Sequence, residues 1–146
     1  MEQRVNIEQT QADAWRALYH LATVLNRSSL SPIQRHLIMV RTSQVNSCAF
    51  CINMHTREAL AIGETQQRLF LVSAWRETTL FTDEEKALLA LTEEVTLISA
   101  HGVSDEVYKT AERFFSPLVI SEIIMLAVMM NAWNRIAVST HKPLGE

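Results

Sequence analysis

Glycine and proline are scarce in this chain, with only 3 of each among 146 residues. Few positions can therefore punctuate the chain with tight turns, which excludes a fold made of many short, turn-linked segments. Long apolar runs are also missing, because Asn131 ends the longest one, residues 123–130. This run is well short of the about 18 residues needed to span a bilayer, so we predict a protein that does not cross a membrane.

Basic residues are not in excess either. The sequence has 13 Lys and Arg against 16 Asp and Glu, a net charge of −3, and its basic residues are scattered. Such a chain lacks the positive patch that binds nucleic acid, so we exclude that class of partner. The first residues, Glu2, Gln3 and Arg4, have no apolar core of the kind found in secretory signals. We therefore predict a cytoplasmic protein.

Cysteine occurs only twice, as Cys48 and Cys51. A disulfide between them would close a very small loop and remove little entropy from the unfolded chain, so stabilising the fold is not their purpose. A domain of this length also buries enough surface to fold without disulfides. In a cytoplasm that keeps thiols reduced, a CxxC pair indicates redox chemistry or metal binding.

Helical periodicity is the main pattern that the chain does contain. Apolar residues recur at intervals of three and four, and Ser31-Pro32 and Ser116-Pro117 each supply an N-cap followed by proline at the first helical position. Thr82 and Glu85 form a capping-box pattern. We predict an all-α fold in a single domain, residues 1–146, with about six to seven helices near residues 7–25, 32–45, 48–62, 64–75, 83–100, 105–114 and 117–139.

The eight residues from Cys48 to His55 carry the one pattern that indicates chemistry. If the segment is helical, Cys48, Cys51 and His55 stand at i, i+3 and i+7, which places them within an arc of roughly 60° on one helix face. Asn46 and Ser47 are both good N-caps. Either would put Cys48 in the first turn, where free N–H groups and the helix dipole stabilise a thiolate.

The residues alone leave three uses of this helix face open. In the first, which we favour, one sulfur attacks a peroxide and becomes a sulfenic acid, the other condenses with it, and His55 takes the thiol proton. In the second, His36, Cys48, Cys51 and His55 form a zinc site of two sulfurs and two imidazoles. In the third, the cysteines fill the core and His55 satisfies a buried hydrogen bond.

The motif and its flanking segments resemble a known family. The run RTSQVNSCAFCINMHTREA at residues 41–59, PIQRHLIMV before it, and the later FTDEEKALLALTEEVT and NAWNR segments together reach across nearly the whole chain. They are similar to the alkylhydroperoxidase D and carboxymuconolactone decarboxylase superfamily. The decarboxylase branch lacks the cysteine pair, so this chain resembles the peroxidase branch.

The resemblance implies an all-α fold that assembles as trimers, hexamers or related homo-oligomers. It implies a thiol-dependent hydroperoxide reductase with an antioxidant role, in which Cys51 attacks the peroxide, Cys48 resolves it and His55 acts as base or proton relay. The helix dipole alone would favour Cys48 as the thiolate, so this order comes from the family. The substrate would be a small hydroperoxide, and a lipoyl-bearing or thioredoxin-like dithiol would reduce the disulfide. No organic cofactor is needed.

Two positions depart from the peroxidase pattern. The glutamate that the family has twelve residues before the first cysteine is His36 here, and a relay histidine found just before the second cysteine is Phe50. His36 can pass protons near neutral pH but supplies no fixed negative charge. The replacement also adds a metal ligand. It thereby keeps open an alternative, a non-catalytic redox sensor or zinc-binding helical oligomer that uses Cys48, Cys51, His55 and His36.

Two further expectations concern bulky and charged side chains. Arg41 is expected to pair with a buried carboxylate such as Glu58 or Glu122. Buried aromatic side chains usually dominate packing, so three tryptophans are expected to anchor the core or an interface rather than bind substrate: Trp15, Trp75 and Trp133.

Overall fold

The computed structural model describes residues 2–144, which form helices and loops without a β-strand. This confirms the predicted all-α class. Nine α-helices and one 3-10 helix (Val72–Glu77) occur in this part of the chain, the α-helices being α1 (Ile7–Thr10), α2 (Ala12–Leu25), α3 (Pro32–Val45), α4 (Ala49–Ala61), α5 (Gln66–Leu71), α6 (Asp83–Thr96), α7 (Ile98–His101), α8 (Asp105–Glu112) and α9 (Pro117–Thr140). Met1 and residues 145–146 lie outside the described residues, so a single domain over the whole chain stays a prediction.

The helix number is higher than expected because three predicted helices are interrupted. Gln11, with φ −134° and ψ 53°, separates α1 from α2, and Leu97, with φ −93° and ψ 29°, separates α6 from α7. Residues 64–75 divide into α5 and the 3-10 helix. A break of about one residue barely changes the apolar periodicity, so the sequence pattern does not reveal it.

The capping signals act as predicted at the starts of α3 and α6. Ser31 Oγ accepts the N–H of Gln34 at 3.1 Å, while the Gln34 side-chain oxygen accepts the N–H of Ser31 at 2.9 Å. Thr82 and Glu85 form the same reciprocal pair at 3.1 and 2.9 Å. These bonds satisfy N–H groups that a helix start leaves without partners, and so determine where both helices begin.

Helix α9 is central to the fold and packs against α2, α3 and α6. Leu37 of α3, Leu88 of α6 and Ile123 of α9 are each at most 1% exposed and belong to one core. Burial of such apolar surface is the dominant favourable term in folding. Among residues 2–144, α9 is the one helix long and apolar enough to cross a bilayer, but its packing among three other helices is that of a core helix.

A buried carboxylate ties α3 to α6. Glu93 accepts hydrogen bonds from Arg41 at 2.6 Å, Arg76 at 2.6 Å and the Trp75 indole at 2.8 Å. The prediction that Arg41 pairs with Glu58 or Glu122 was therefore wrong. The three donors offset the desolvation cost of the Glu93 charge and leave Glu58 free for other contacts.

Candidate active site

The connection between α3 and α4 is short and anchored to α9. Asn46 donates from Nδ2 to the side-chain oxygens of Asn131 and Asn134, each at 3.0 Å, and Asn134 donates to Ser43 Oγ at 3.0 Å. Asn134 is fully buried, so these bonds satisfy polar groups that would otherwise be costly to bury. They hold the start of α4 against the core helix.

Cys48, rather than Asn46 or Ser47, is the N-cap of α4. Its sulfur accepts the N–H of Cys51 at 3.4 Å, and its backbone is extended, with φ −87° and ψ 93°. The Asn46 side chain is engaged by α9, and Ser47 is left-handed, with φ 54°, so neither can cap the helix. The prediction that Cys48 lies within the first turn was wrong by one position.

A disulfide joins Cys48 to Cys51 across the start of α4, with their Cα atoms 5.4 Å apart. The two sulfurs differ in what they face. Cys51 lines a cavity of about 640 Å³ together with His36, His55 and Glu58, whereas Cys48 is not among the lining residues. Both cysteines are at most 2% exposed, so Cys51 is reached through this cavity.

Glu58 connects the two histidines of the predicted site. Its Oε2 lies 2.8 Å from His55 Nδ1 and 3.5 Å from His36 Nε2. His36 Nδ1 lies 2.8 Å from the carbonyl oxygen of Pro32, to which only an N–H can donate. Both ring nitrogens of His36 therefore face acceptors, which favours the imidazolium form.

These contacts change the proton affinity of both residues. Hydrogen bonds from His36 and His55 lower the pKa of Glu58 from 4.5 to about 2, against the opposing effect of burial. Burial alone would lower the pKa of His36, but its bonds to Glu58 and to the Pro32 carbonyl raise it above the ordinary 6.5. Glu58 is thus a carboxylate, and His36 is charged over a wider pH range than a free histidine.

A negative charge reaches this cluster from the next helix. His36 stands where the family resemblance leads us to expect a glutamate, and Glu58 of α4 provides a carboxylate beside it. Its position three residues after His55 places both side chains on one helix face, and this spacing was visible in the sequence. What was not visible is that His36 packs onto the same face.

The predicted zinc set is not assembled in this form of the protein. The sulfurs of Cys48 and Cys51 are bonded to each other and are not thiolate ligands. Within residues 2–144, the group with metal-binding geometry consists of His36, His55 and Glu58, whose ligand atoms lie within 4.8 Å of one another. Glu58 takes the place that the prediction gave to the sulfurs.

Two of the three tryptophans lie at the cavity. Trp15 and Trp133 line it and contact each other edge to face, with ring centroids 4.7 Å apart. Trp75 is buried, as expected, and bonds to Glu93. Trp15 and Trp133 also border the cavity beside Cys51, so the expectation that they anchor packing rather than bind substrate stays a prediction.

Comparison with known proteins identifies the family of this chain. The sequence model of the carboxymuconolactone decarboxylase family matches residues 11–94, which include α3, α4 and the CxxC motif. The chain belongs to this family. Family membership and the Cys48–Cys51 disulfide together fit a redox role for the site.

Two relatives are similar to the chain over nearly its whole length. The uncharacterized protein YdfG of Bacillus subtilis is 35% identical over 139 residues, 95% of each chain. A crystal structure from Agrobacterium tumefaciens, of a protein of unknown function suggested to be the antioxidant defence protein AhpD, has 34% identity and a TM-score of 0.96 and covers 99% of each chain. The alkylhydroperoxidase D-like fold expected from the sequence is confirmed.

The same fold also occurs in an enzyme named as a debrominase. The debrominase Bmp8 has a TM-score of 0.84 at 14% identity, with 94% of this chain and 74% of Bmp8 covered. At this identity the likeness shows the fold alone. A shared fold does not fix the reaction, which depends on the residues at the site.

Proposed function

We propose that this protein is a thiol-dependent hydroperoxide reductase that works through the Cys48–Cys51 disulfide. The observation that carries the proposal is the position of Cys51, which lines a cavity with His36, His55 and Glu58 while its disulfide partner lies outside that lining. A sulfur that meets substrate beside a proton donor, with a second sulfur within bonding distance, provides the groups that peroxide reduction needs.

The proposed reaction begins with reduced cysteines. The Cys51 thiolate attacks one peroxide oxygen, the O–O bond breaks, and the leaving alkoxide takes a proton to become an alcohol. Cys51 is then a sulfenic acid. The Cys48 thiol attacks it, the S–S bond forms, and hydroxide leaves with the Cys48 proton as water. An external dithiol returns both cysteines to the reduced form and is itself oxidised.

His55 is the proposed base. Its Nδ1 is held by Glu58 at 2.8 Å, so donation from Nδ1 leaves Nε2 to take a proton, as in other carboxylate–histidine pairs. His36 shares the same carboxylate and is the proposed proton reservoir in place of the family glutamate. The order of attack, Cys51 before Cys48, is favoured by the cavity rather than by the helix dipole.

The setting of the reaction is proposed from the family. We expect a small organic hydroperoxide as substrate, a lipoyl-bearing or thioredoxin-like dithiol as reductant, and an antioxidant role in the cytoplasm. We also expect a homo-oligomer, a trimer or hexamer, from the family. Three apolar side chains of α9 are partly exposed and would be available to such a contact, with Leu118 62%, Met125 40% and Val128 47% exposed.

Intact mass spectrometry tests the mechanism. Reduced protein treated with one equivalent of cumene hydroperoxide should lose two hydrogens as the disulfide forms. Cys48→Ser should stop at a sulfenic acid on Cys51 that dimedone traps, and Cys51→Ser should not react. Both variants should lose turnover with a dithiol. Undiminished turnover in either variant would contradict the mechanism. Sulfenic acid on Cys48 in the Cys51→Ser variant, with none on Cys51 in the Cys48→Ser variant, would show that Cys48 attacks first.

A second candidate function, metal binding, is favoured by two observations. The ligand atoms of His36, His55 and Glu58 lie within 4.8 Å of one another, and His36 Nδ1 bonds to the Pro32 carbonyl, as ligating histidines commonly do through their second nitrogen. Native mass spectrometry of the reduced and disulfide forms with zinc tests it. Retention that Glu58→Gln abolishes would support this site. Retention by the reduced form alone would favour the sulfurs.

A further inference from the structure

The cavity beside Cys51 has mostly apolar walls and a single ammonium group. Aromatic rings and thioether side chains line it, among them Trp15, Phe50, Trp133 and Met129. Lys142 also lines it. A mostly apolar lining with a few polar groups of fixed position is typical of a site for an organic molecule.

The end of α9 determines where Lys142 lies. His141 adopts the left-handed conformation, with φ 53° and ψ 47°, and the Lys142 N–H then bonds back to the Ala137 carbonyl at 3.0 Å. This is the hydrogen bond of a helix C-terminal turn that reverses the chain. The turn directs Lys142 over the cavity instead of into solvent beyond the helix.

The Lys142 ammonium lies over two aromatic rings. Its nitrogen is 4.6 Å from the ring centroid of Phe50 and 5.1 Å from that of Trp15. Both contacts are cation–π interactions, which fix the position of the charge. No carboxylate of residues 2–144 forms an ion pair with Lys142, so its positive charge remains available to a ligand.

The other charged groups of the cavity do not compete for Lys142. Glu58 is engaged by His36 and His55. Phe50, whose ring contacts Lys142, directly precedes Cys51 in α4. A ligand lying along this wall can therefore meet the ammonium at one end and the sulfur at the other.

We propose that the cavity binds amphipathic organic anions, with an aromatic or aliphatic body against the apolar wall and a carboxylate on Lys142. Binding of such anions does not depend on the proposed function. The extension to catalysis does rest on it, and the preferred substrates would then be hydroperoxides that carry a carboxylate. A charge-assisted hydrogen bond in a partly desolvated site strengthens binding about tenfold or more over a neutral equivalent.

Equilibrium binding of a compound without a peroxide group tests the ligand class independently of any turnover. The probes are 4-isopropylbenzoate and its neutral amide, titrated at pH 7 and followed by the fluorescence of Trp15 and Trp133, which line the cavity. We expect the acid to bind at least about tenfold more tightly than the amide. Equal affinities, or no binding of either probe, would overturn the proposal.

Three variants assign the preference to one side chain. Lys142→Met should weaken acid binding about tenfold and leave amide binding within about twofold, while Lys142→Arg should keep the preference. Lys109→Met removes an exposed lysine from α8 and controls for the change in net charge. Thermal unfolding of each variant checks that the fold is intact. A preference for acid that survives in Lys142→Met would exclude Lys142 as the anchor.

Turnover separates this proposal from the proposed function. Cumene hydroperoxide is compared with its 4-carboxylate. We expect a KM about tenfold lower for the carboxylate in the wild type, and we expect this difference to be lost in Lys142→Met. Selective acid binding without turnover of either peroxide would reject the reductase and keep the ligand class. Turnover of both peroxides with equal KM, together with equal affinities for the acid and the amide, would keep the reductase and reject the ligand class.

Discussion

Glu58→Gln tests the idea that one carboxylate organises both histidines of the site. Glutamine keeps the shape of the side chain and a carbonyl acceptor but removes the negative charge. In the wild type, hydrogen bonds from His36 and His55 lower the pKa of Glu58. The bond to Glu58 in turn raises the pKa of His36. In the variant, the burial that lowers the pKa of His36 and the Pro32 bond that raises it both remain, while the contact with the Glu58 charge is lost. The pKa of His36 should therefore fall.

The effect on stability has a defined pH window. The depressed pKa of Glu58 contributes stability above pH 4.5 that is lost as the pH falls toward 2. The raised pKa of His36 contributes stability below pH 6.5 that is lost as the pH rises through its folded-state value. Both groups are charged and paired between these limits. The difference in unfolding free energy between wild type and variant should be largest from about pH 4.5 to 6.5.

The structure also bounds the size of this difference. At about 1.4 kcal/mol per pKa unit, a fall from 4.5 to about 2 corresponds to an upper limit of about 3.5 kcal/mol. The Glu58 side chain is 49% exposed, so water screens much of the interaction, as it does for surface ion pairs. We expect a loss of about 1–2 kcal/mol in the window.

Two measurements check the prediction, an NMR titration of the His36 ring protons and urea unfolding at several pH values. The control is Glu112→Gln, which removes an exposed carboxylate from α8 and should change neither. An unchanged pKa of His36, or a stability loss that is the same at every pH, would refute the reasoning. Any dependence of peroxide turnover on the titration of His36 should move to lower pH in the variant.

The remaining predictions concern His36, the buried Glu93 and a glycine turn. His36→Glu restores the family carboxylate, so peroxide turnover should be retained or raised with an altered pH profile; an unchanged profile would remove His36 from the proton path. Glu93→Gln leaves Arg41 and Arg76 without their anion and should cost about 3 kcal/mol in urea unfolding, whereas a loss below about 1 kcal/mol would contradict a buried ion pair. Gly63 has φ 99°, so Gly63→Ala should cost about 1–2 kcal/mol and lower the Tm; an equal Tm would show that the backbone adjusts.

Local sequence was a reliable guide wherever a feature depends on hydrogen bonds within one helix turn. The starts of α3 and α6 were predicted because Ser31 and Thr82 bond to residues three positions later. The same reasoning failed at Cys48. There, the capping residue depends on the Asn46 bond to α9, 85 residues away in the chain, and no local pattern encodes a contact of that length.

The sequence by itself determined the all-helical class, the family and the spacing of Cys48, Cys51 and His55. Only the tertiary structure decided that Cys51 opens into the cavity, that Glu58 joins His36 to His55, and that Lys142 lies over Phe50. The physical reason is that periodicity and caps are properties of single segments. Which side chains share a cavity depends on how α2, α3, α4 and α9 pack, and that packing is set by burial of apolar surface summed over the whole core.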